Sequence, residues 1–204
     1  MDGVGGEPGL AGGEELAALR DALAELDATA PRRVCRKPLA AADVDRSQMR
    51  LLVRRAPPGN ANAGAGVDAL AAFLTADEAD RVHVVDRRSS PAMDDPHSWW
   101  RRDEEERRRG LEVPAYDRHG RRYELWLRVQ VNGAYRFCGG GWGRFVADNH
   151  VAEAVAEMGA LGREVEVELW AFRSPELLPL RRGGGSDHPD GAMGIAILVR
   201  GQQQ

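Results

Sequence analysis

The chain has 204 residues, 43% of them hydrophobic, and a formal net charge of -4. This length suits one domain with extensions, because domains typically hold roughly 100–150 residues. No apolar run reaches the roughly 20 residues of a membrane helix, and the acidic start "MDGVGGEPGLAGG" is unlike a signal peptide, so we expect a soluble intracellular protein with no membrane partner.

The first 31 residues form an acidic N-terminal extension with seven acidic side chains and one basic side chain. Within it, "EELAALRDALAELDATAP" spaces its leucines three and four apart, which predicts a short amphipathic helix that Pro31 ends. The stripe covers only about two heptads, which favours packing on the chain's own domain. Pairing with a second copy or another protein through this helix remains the alternative.

The next segments alternate between short strands and helices. The runs "RVCRKP" and "RLLVRR" predict two strands joined by the polar loop "LAAADVDRSQM". "VDALAAFLTADEADRV" predicts a helix, unless a capping box of Thr75 and Glu78 starts a second one. Residues 86–110 have mixed charge and no apolar period, and we interpret them as a loop or a disordered insertion.

From Gly110 onward the pattern is that of strands. "LEVPAYD", "RYELWLRVQV" and "AYRFC" are predicted strands, and Asn132-Gly133 marks a hairpin turn between the last two. A helix from about Gly143 to Met158 follows, then the strands "EVEVELWAF" and "MGIAILVR" and a tail at 202–204. Seven strands with few helices predict a small, partly open antiparallel barrel.

The chemistry-bearing residues suggest no enzyme. Gly139 to Gly143 lacks the Lys and Ser/Thr of a phosphate-binding loop, and no serine, cysteine or threonine lies in a nucleophile motif. The five histidines are scattered, and Cys35 and Cys138 are too few for a disulfide scaffold or a four-ligand zinc site. We therefore expect no catalytic residue, no metal and no cofactor.

Positive charge is concentrated in two blocks. Residues 32–58 carry eight bases and two acids, and residues 117–146 carry six bases and two acids. Each block straddles a loop between strands, and loops at one end of a barrel can converge. Because arginine, glutamine and asparagine can pair with base edges in the major groove, a two-armed DNA clamp is one interpretation. The other is that charged hairpin tips are ordinary solvated loops.

The choice between these two interpretations depends on five segments: "KPLAAADVDRSQMRLLV", "FLTADE", "LEVPAYDRHGRRYELWLR", "AYRFCGGGWGRFVADN" and "VELWAFRS". In this order, from about Val34 to Val199, they resemble the plant-specific B3 DNA-binding domain family. The similarity is to its divergent subgroup with S-Q-x-R-L-L and G-W-x-x-F/V-V-x-x-N motifs. The resemblance implies a mainly β domain over residues 32–201, an open antiparallel seven-stranded pseudobarrel with short helices plugging its ends.

The resemblance also implies a nuclear transcription regulator that grips the major groove of double-stranded DNA with two arms. Carried onto this chain, the candidate DNA contacts are Arg36, Lys37, Arg46, Ser47, Gln48 and Arg50 in the first arm and Arg128, Gln130 and Asn132 in the second. The alternative, motivated by the negative net charge, is a B3-like domain that serves as a protein-interaction module through the leucine-striped helix.

Overall fold

The computed structural model describes residues 13–45, 47–54, 68–82, 110–130, 132–177 and 187–201. Its strands there are β1 (Arg32–Pro38), β2 (Arg50–Val53), β3 (Leu111–Tyr116), β4 (Arg122–Val129), β5 (Tyr135–Cys138), β6 (Glu166–Ser174) and β7 (Ala192–Arg200). Its helices are α1 (Ala17–Glu25), α2 (Ala41–Val44), α3 (68–73), α4 (Ala76–Val82), α5 (Gly140–Asp148) and α6 (Val151–Ala160). None of the helices in these ranges is long and apolar enough to cross a membrane. The predicted insertion at 86–110, apart from Gly110, and the tail at 202–204 lie outside the described residues.

The strands form one sheet in the order β1-β6-β7-β3-β4-β5-β2, which curls into a nearly closed barrel. The prediction of a mainly β fold with seven strands and short helices is confirmed. The prediction of a fully antiparallel sheet is wrong, because β3 pairs parallel with β7 through Ala115 and Ile195. These two strands are far apart in the chain, and no turn or local alternation reports the direction in which they meet.

The barrel interior follows from the alternation of side chains along each strand. In β4, Tyr123, Leu125 and Leu127 are each at most 1% exposed, while their neighbours face outward. The predicted β4–β5 hairpin is also confirmed, with Val129 opposite Tyr135 next to its tip. The outward side chains of β4 and β5 are therefore fixed in a known register, which positions the candidate site.

Helix α1 packs on the outside of the barrel. Its leucine stripe is buried against β6 and β7, in a second apolar cluster that includes Leu16, Leu19, Leu23, Trp170, Phe172 and Leu198. Packing on the chain's own domain, the favoured prediction, is therefore confirmed. The stripe cannot serve as an open surface for another protein while it is buried in this way.

The segment after Asp68 contains two helices, because the capping box predicted as an alternative is present. Thr75 Oγ1 accepts a hydrogen bond from the Glu78 amide, and a Glu78 carboxylate oxygen accepts one from the Thr75 amide, each at 3.2 Å. The other carboxylate oxygen of Glu78 accepts a bond from Arg173 on β6 at 2.7 Å. Helix α4 is thereby fixed to the sheet.

Trp142 plugs one end of the barrel. Its indole is 1% exposed and stacks on Phe145 with ring centroids 5.3 Å apart, and Phe145 meets Tyr123 edge-on at 5.5 Å. The indole N–H donates a 2.6 Å hydrogen bond to the backbone carbonyl of Asp43 in α2. Helix α5 is therefore tied both to the interior of the sheet and to the connection between β1 and β2.

The glycines before Trp142 allow α5 to approach β4 closely. Gly139, which precedes the helix, has a φ of 110°, a conformation that residues with a side chain rarely adopt. A Cβ at Gly141 would lie 2.1 Å from the backbone oxygen of Glu124. Only glycine fits there, since the contact is with backbone in the middle of the sheet.

The single helix predicted from about Gly143 to Met158 is wrong, because two helices meet at His150. That residue has a φ of 51°, in the left-handed region, which ends α5 and changes the chain direction before α6. The Asn149 side chain donates a 3.0 Å hydrogen bond back to the carbonyl of Phe145. This side chain caps the last turn of α5, which explains the Asn of the G-W-x-x-F-V-x-x-N motif.

Asn149 also joins a buried polar cluster around Asp117, in the turn between β3 and β4. One Asp117 carboxylate oxygen accepts hydrogen bonds from Tyr123 Oη at 3.0 Å, from Arg121 Nε at 2.9 Å and from Asn149 Nδ2 at 3.3 Å. Burial, and then the nearby negative charge of Asp117, raise the pKa of Tyr123 well above its ordinary value. The tyrosine therefore stays a neutral donor, and the cluster holds α5 against the sheet.

Candidate functional site

Three arginines share the outer face of neighbouring strands. Arg128 on β4 lies directly opposite Arg136 on β5, and Arg50 on β2 lies opposite Cys138, two residues further along β5. Since side chains two apart in a strand point the same way, all three arginines project from the outer side of the barrel. We call Arg50, Arg128 and Arg136 the arginine face.

The arginine face is a concentration of positive charge. Residues directly opposite in an antiparallel pair have Cβ atoms roughly 4.5–5.5 Å apart, and like charges in this position repel. The side chains of Arg50 and Arg136 make no ion pair or hydrogen bond with any described residue, and the buried Nε atom of each lacks a hydrogen-bond partner. Such a face gains energy from an anion that offsets its positive charge.

Other arginines of the barrel are neutralised in place. Arg121 pairs with Asp117 at 2.9 Å, and Arg173 pairs with Glu78 at 2.7 Å. Arg50 and Arg136 have no such acidic partner among the residues that the structure describes. Their position on adjacent strands, beside Arg128, is what concentrates the charge.

The first arm is the connection between β1 and β2, and an aspartate orders its last turn. Asp45 Oδ1 accepts hydrogen bonds from both the amide and the hydroxyl of Ser47 at 2.7 Å, which lowers the pKa of Asp45 below its ordinary value. Gln48 is half-buried, its Oε1 has no hydrogen-bond partner, and Met49 adopts a φ of 38°. Ser47 is thus used in shaping the turn, while Gln48 Oε1 is a buried acceptor without a hydrogen-bond partner among the described residues. Arg46 lies outside the described residues.

The second arm is the tip of the β4–β5 hairpin. The Gln130 amide donates to the carbonyl of Ala134 at 2.8 Å, and the Gly133 amide donates to the carbonyl of Gln130 at 2.8 Å. Asn132 Oδ1 accepts a 3.1 Å bond from the Ala134 amide, and Gly133 supplies a φ of 76°. Gln130 is half-buried and Asn132 is exposed.

The two arms lie at opposite ends of the arginine face. Strand β2 runs antiparallel to β5, so the loop that enters β2 at Arg50 lies beside Cys138, whereas the hairpin tip lies beyond Tyr135. At roughly 3.3 Å per residue, the four residues from Ala134 to Cys138 separate the arms by about 13 Å. The two loops therefore lie at opposite ends of β5. The face between them, rather than a pair of converging tips, is what the fold presents.

Arg36 and Lys37, two predicted contacts in β1, are not part of this face. Arg36 donates two hydrogen bonds to Glu166 on β6, at 3.0 and 2.5 Å, and this carboxylate raises the pKa of the guanidinium. Lys37 donates to Asp43 at 2.6 Å, and its side chain is only 22% exposed. The structure thus brings together Arg50 and Arg128 from the two arms but gives Arg36 and Lys37 partners within the protein.

Arg136 belongs to the arginine face but was not among the predicted DNA contacts. Its place follows from the register, because Val129 opposite Tyr135 puts Arg136 opposite Arg128. The signal was present in the Asn-Gly turn and the alternation of "AYRFC". Counting the same number of residues on both sides of the turn would have placed Arg136 opposite Arg128.

Within the part of the chain that the structure describes, no group of three or more His, Cys, Asp or Glu side chains could hold a metal ion. In comparisons with known proteins, no family model matches this chain, and no curated protein shows significant similarity to it.

Proposed function

We propose that this chain is a DNA-binding protein, a B3-type transcription regulator that acts in the nucleus and grips double-stranded DNA across the arginine face. The observation that carries the proposal is the arginine face itself: three arginines on three adjacent strands, two of them without an internal partner. A regular array of backbone phosphates is the ligand that such a surface fits best. The proposal assigns the chain no catalytic step and no cofactor.

The spacing of the two arms supports a duplex as the ligand. Their separation of about 13 Å is close to the roughly 12 Å width of the major groove. Arginines between the arms neutralise phosphates and release counterions, which supplies most of the affinity. At the hairpin tip, Gln130 and Asn132 carry amides that can pair with base edges and supply specificity.

The test is a salt titration of duplex binding. Three phosphate contacts predict a slope of log K against log salt of roughly -2.7, so affinity should fall by about 40-fold between 50 and 200 mM salt. Replacing Arg136 by Ala removes one contact, which should reduce the fall to about 12-fold. A random-sequence duplex serves as the probe, followed by selection of preferred sites.

Arg20→Ala is the matched control, since it also removes one positive charge but lies exposed on α1, on the outside of β6 and β7. It should leave the salt slope unchanged. Binding that does not depend on salt, or equal effects of Arg136→Ala and Arg20→Ala, would contradict the proposal.

The alternative of a protein-interaction module was expected to act through the leucine stripe of α1, and that surface is not open. The leucine stripe of α1 is buried on β6 and β7, with Leu19 fully inaccessible. No other observation on the described residues favours this function over DNA binding.

A further inference from the structure

A buried carboxylate joins the first arm to both free edges of the sheet. Asp43 in α2 is 4% exposed. One of its carboxylate oxygens accepts hydrogen bonds from Lys37 Nζ at 2.6 Å and from the Ala40 amide at 2.9 Å, and the other accepts a bond from the Leu52 amide at 3.2 Å. Its acceptors are therefore taken up by β1, by the start of the arm and by β2.

Lys37 completes the same connection. Besides Asp43, its ammonium donates a 2.9 Å hydrogen bond to the carbonyl of Leu52. Strands β1 and β2 are the two edges of the sheet, so this lysine bridges the place where the barrel would otherwise remain open. Trp142 holds the backbone of Asp43 from the other side.

We infer that Lys37 is a positioning residue: it holds the first arm in its binding geometry through Asp43, and it does not itself contact the ligand. The inference rests on the proposed function for its effect on binding. Two of the three ammonium donors have protein partners, and most of the side chain is buried. Reaching a phosphate would require Lys37 to leave Asp43 as an unpaired, buried charge, which is strongly unfavourable.

The first experiment separates positioning from contact by the salt slope. Lys37→Met keeps the length of the side chain but removes the charge. If the arm is then correctly placed in only about a tenth of the molecules, the affinity for a random-sequence duplex falls about tenfold. The salt slope stays that of the wild type, because no phosphate contact is lost. A slope that becomes shallower by about 0.9, as for a lost contact, would overturn the inference.

The second experiment needs no DNA. The amides of Ala40 and Leu52 both donate to Asp43, so their hydrogen exchange reports whether the arm is held. We expect exchange at both to be at least about tenfold faster in Lys37→Met than in the wild type, while the Gly133 amide of the second arm is unchanged. Unchanged exchange at Ala40 and Leu52 would also overturn the inference.

The double variant Lys37→Met/Asp43→Asn guards against misfolding, because it removes the carboxylate that the single variant leaves unpaired. It should be more stable than Lys37→Met and still show the faster exchange at Ala40. If it keeps the wild-type exchange and affinity, the inference fails. Should the wild type not bind duplex in a salt-dependent way, the proposed function fails, while the exchange comparison still decides the role of Lys37.

Discussion

Replacing Gly141 by Ala tests how closely α5 approaches the sheet. A Cβ at this position would lie 2.1 Å from the backbone oxygen of Glu124 and 2.8 Å from its carbonyl carbon, whereas ordinary contacts begin near 3.4 Å. The helix must therefore move away from β4 by more than 1 Å, and Trp142 moves with it. Backbone in the middle of a sheet cannot yield in its place.

Overpacking of this kind costs about 1–3 kcal/mol, occasionally more, which outweighs the gain of about 1 kcal/mol from replacing glycine within a helix. With a net loss of about 1–2 kcal/mol, the melting temperature should fall by about 2–8 °C for a chain of this size. Gly140→Ala is the matched control, because a Cβ there has no atom within 4 Å. It should be neutral or stabilising by up to about 1 kcal/mol.

Urea and thermal denaturation, followed by tryptophan fluorescence and circular dichroism, measure the free energy of unfolding and the melting temperature of both variants. If Gly141→Ala is as stable as Gly140→Ala, the close approach of α5 to β4 is incorrect, and with it the reason given for the run of glycines.

Three further predictions concern the outer cluster, a buried thiol and the arginine face. Leu19→Ala should lower the free energy of unfolding in urea by about 2–5 kcal/mol, because the side chain is fully buried. Leu26→Ala, at the edge of the cluster, should lower it clearly less. Equal losses in the two variants would contradict the packing of α1. Burial raises the pKa of Cys35 to about 11 from its ordinary 9.0, so the folded state keeps the proton that the unfolded state releases. Stability should be complete below pH 9 and fall by about 2–3 kcal/mol as the pH rises to 11, and Cys35→Ala should remove this component; parallel pH profiles for the two proteins would refute it. Arg136→Glu should raise the free energy of unfolding by about 0.2–1 kcal/mol, since it replaces a like-charge pair by a pair of opposite charges. The same substitution should weaken duplex binding more than Arg136→Ala does. A loss of stability would argue against repulsion on the arginine face.

Local patterns predicted the elements well, because their causes are local. The alternation of β4 reflects a strand with one buried side, and the Thr75–Glu78 capping box lies within a single helical turn. The break at His150 was missed because the apolar pattern continues through it and does not report the left-handed φ of His150 or the cap that Asn149 forms on Phe145. Asn149 reaches Asp117 in another turn of the fold, and a helical pattern in the sequence does not reveal such a partner.

The candidate site was predictable in composition but not in arrangement. The two basic blocks identified Arg50 and Arg128, yet their proximity depends on β5 lying between β2 and β4. The same topology places the two arms at opposite ends of the face. The sequence shows the positive charge of Lys37, but it does not show that this charge pairs with Asp43. That pairing depends on how the barrel closes between β1 and β2.

The position of β7 has a consequence for how this protein is made. Of the seven strands it is synthesised last, yet it lies inside the sheet, between β6 and β3. Until it emerges from the ribosome, both of those neighbours present unpaired edges to the cell, which invites aggregation. We expect a chain truncated before Ala192 to lack this inner strand, to leave the edges of β6 and β3 unpaired and to aggregate more readily than the intact protein.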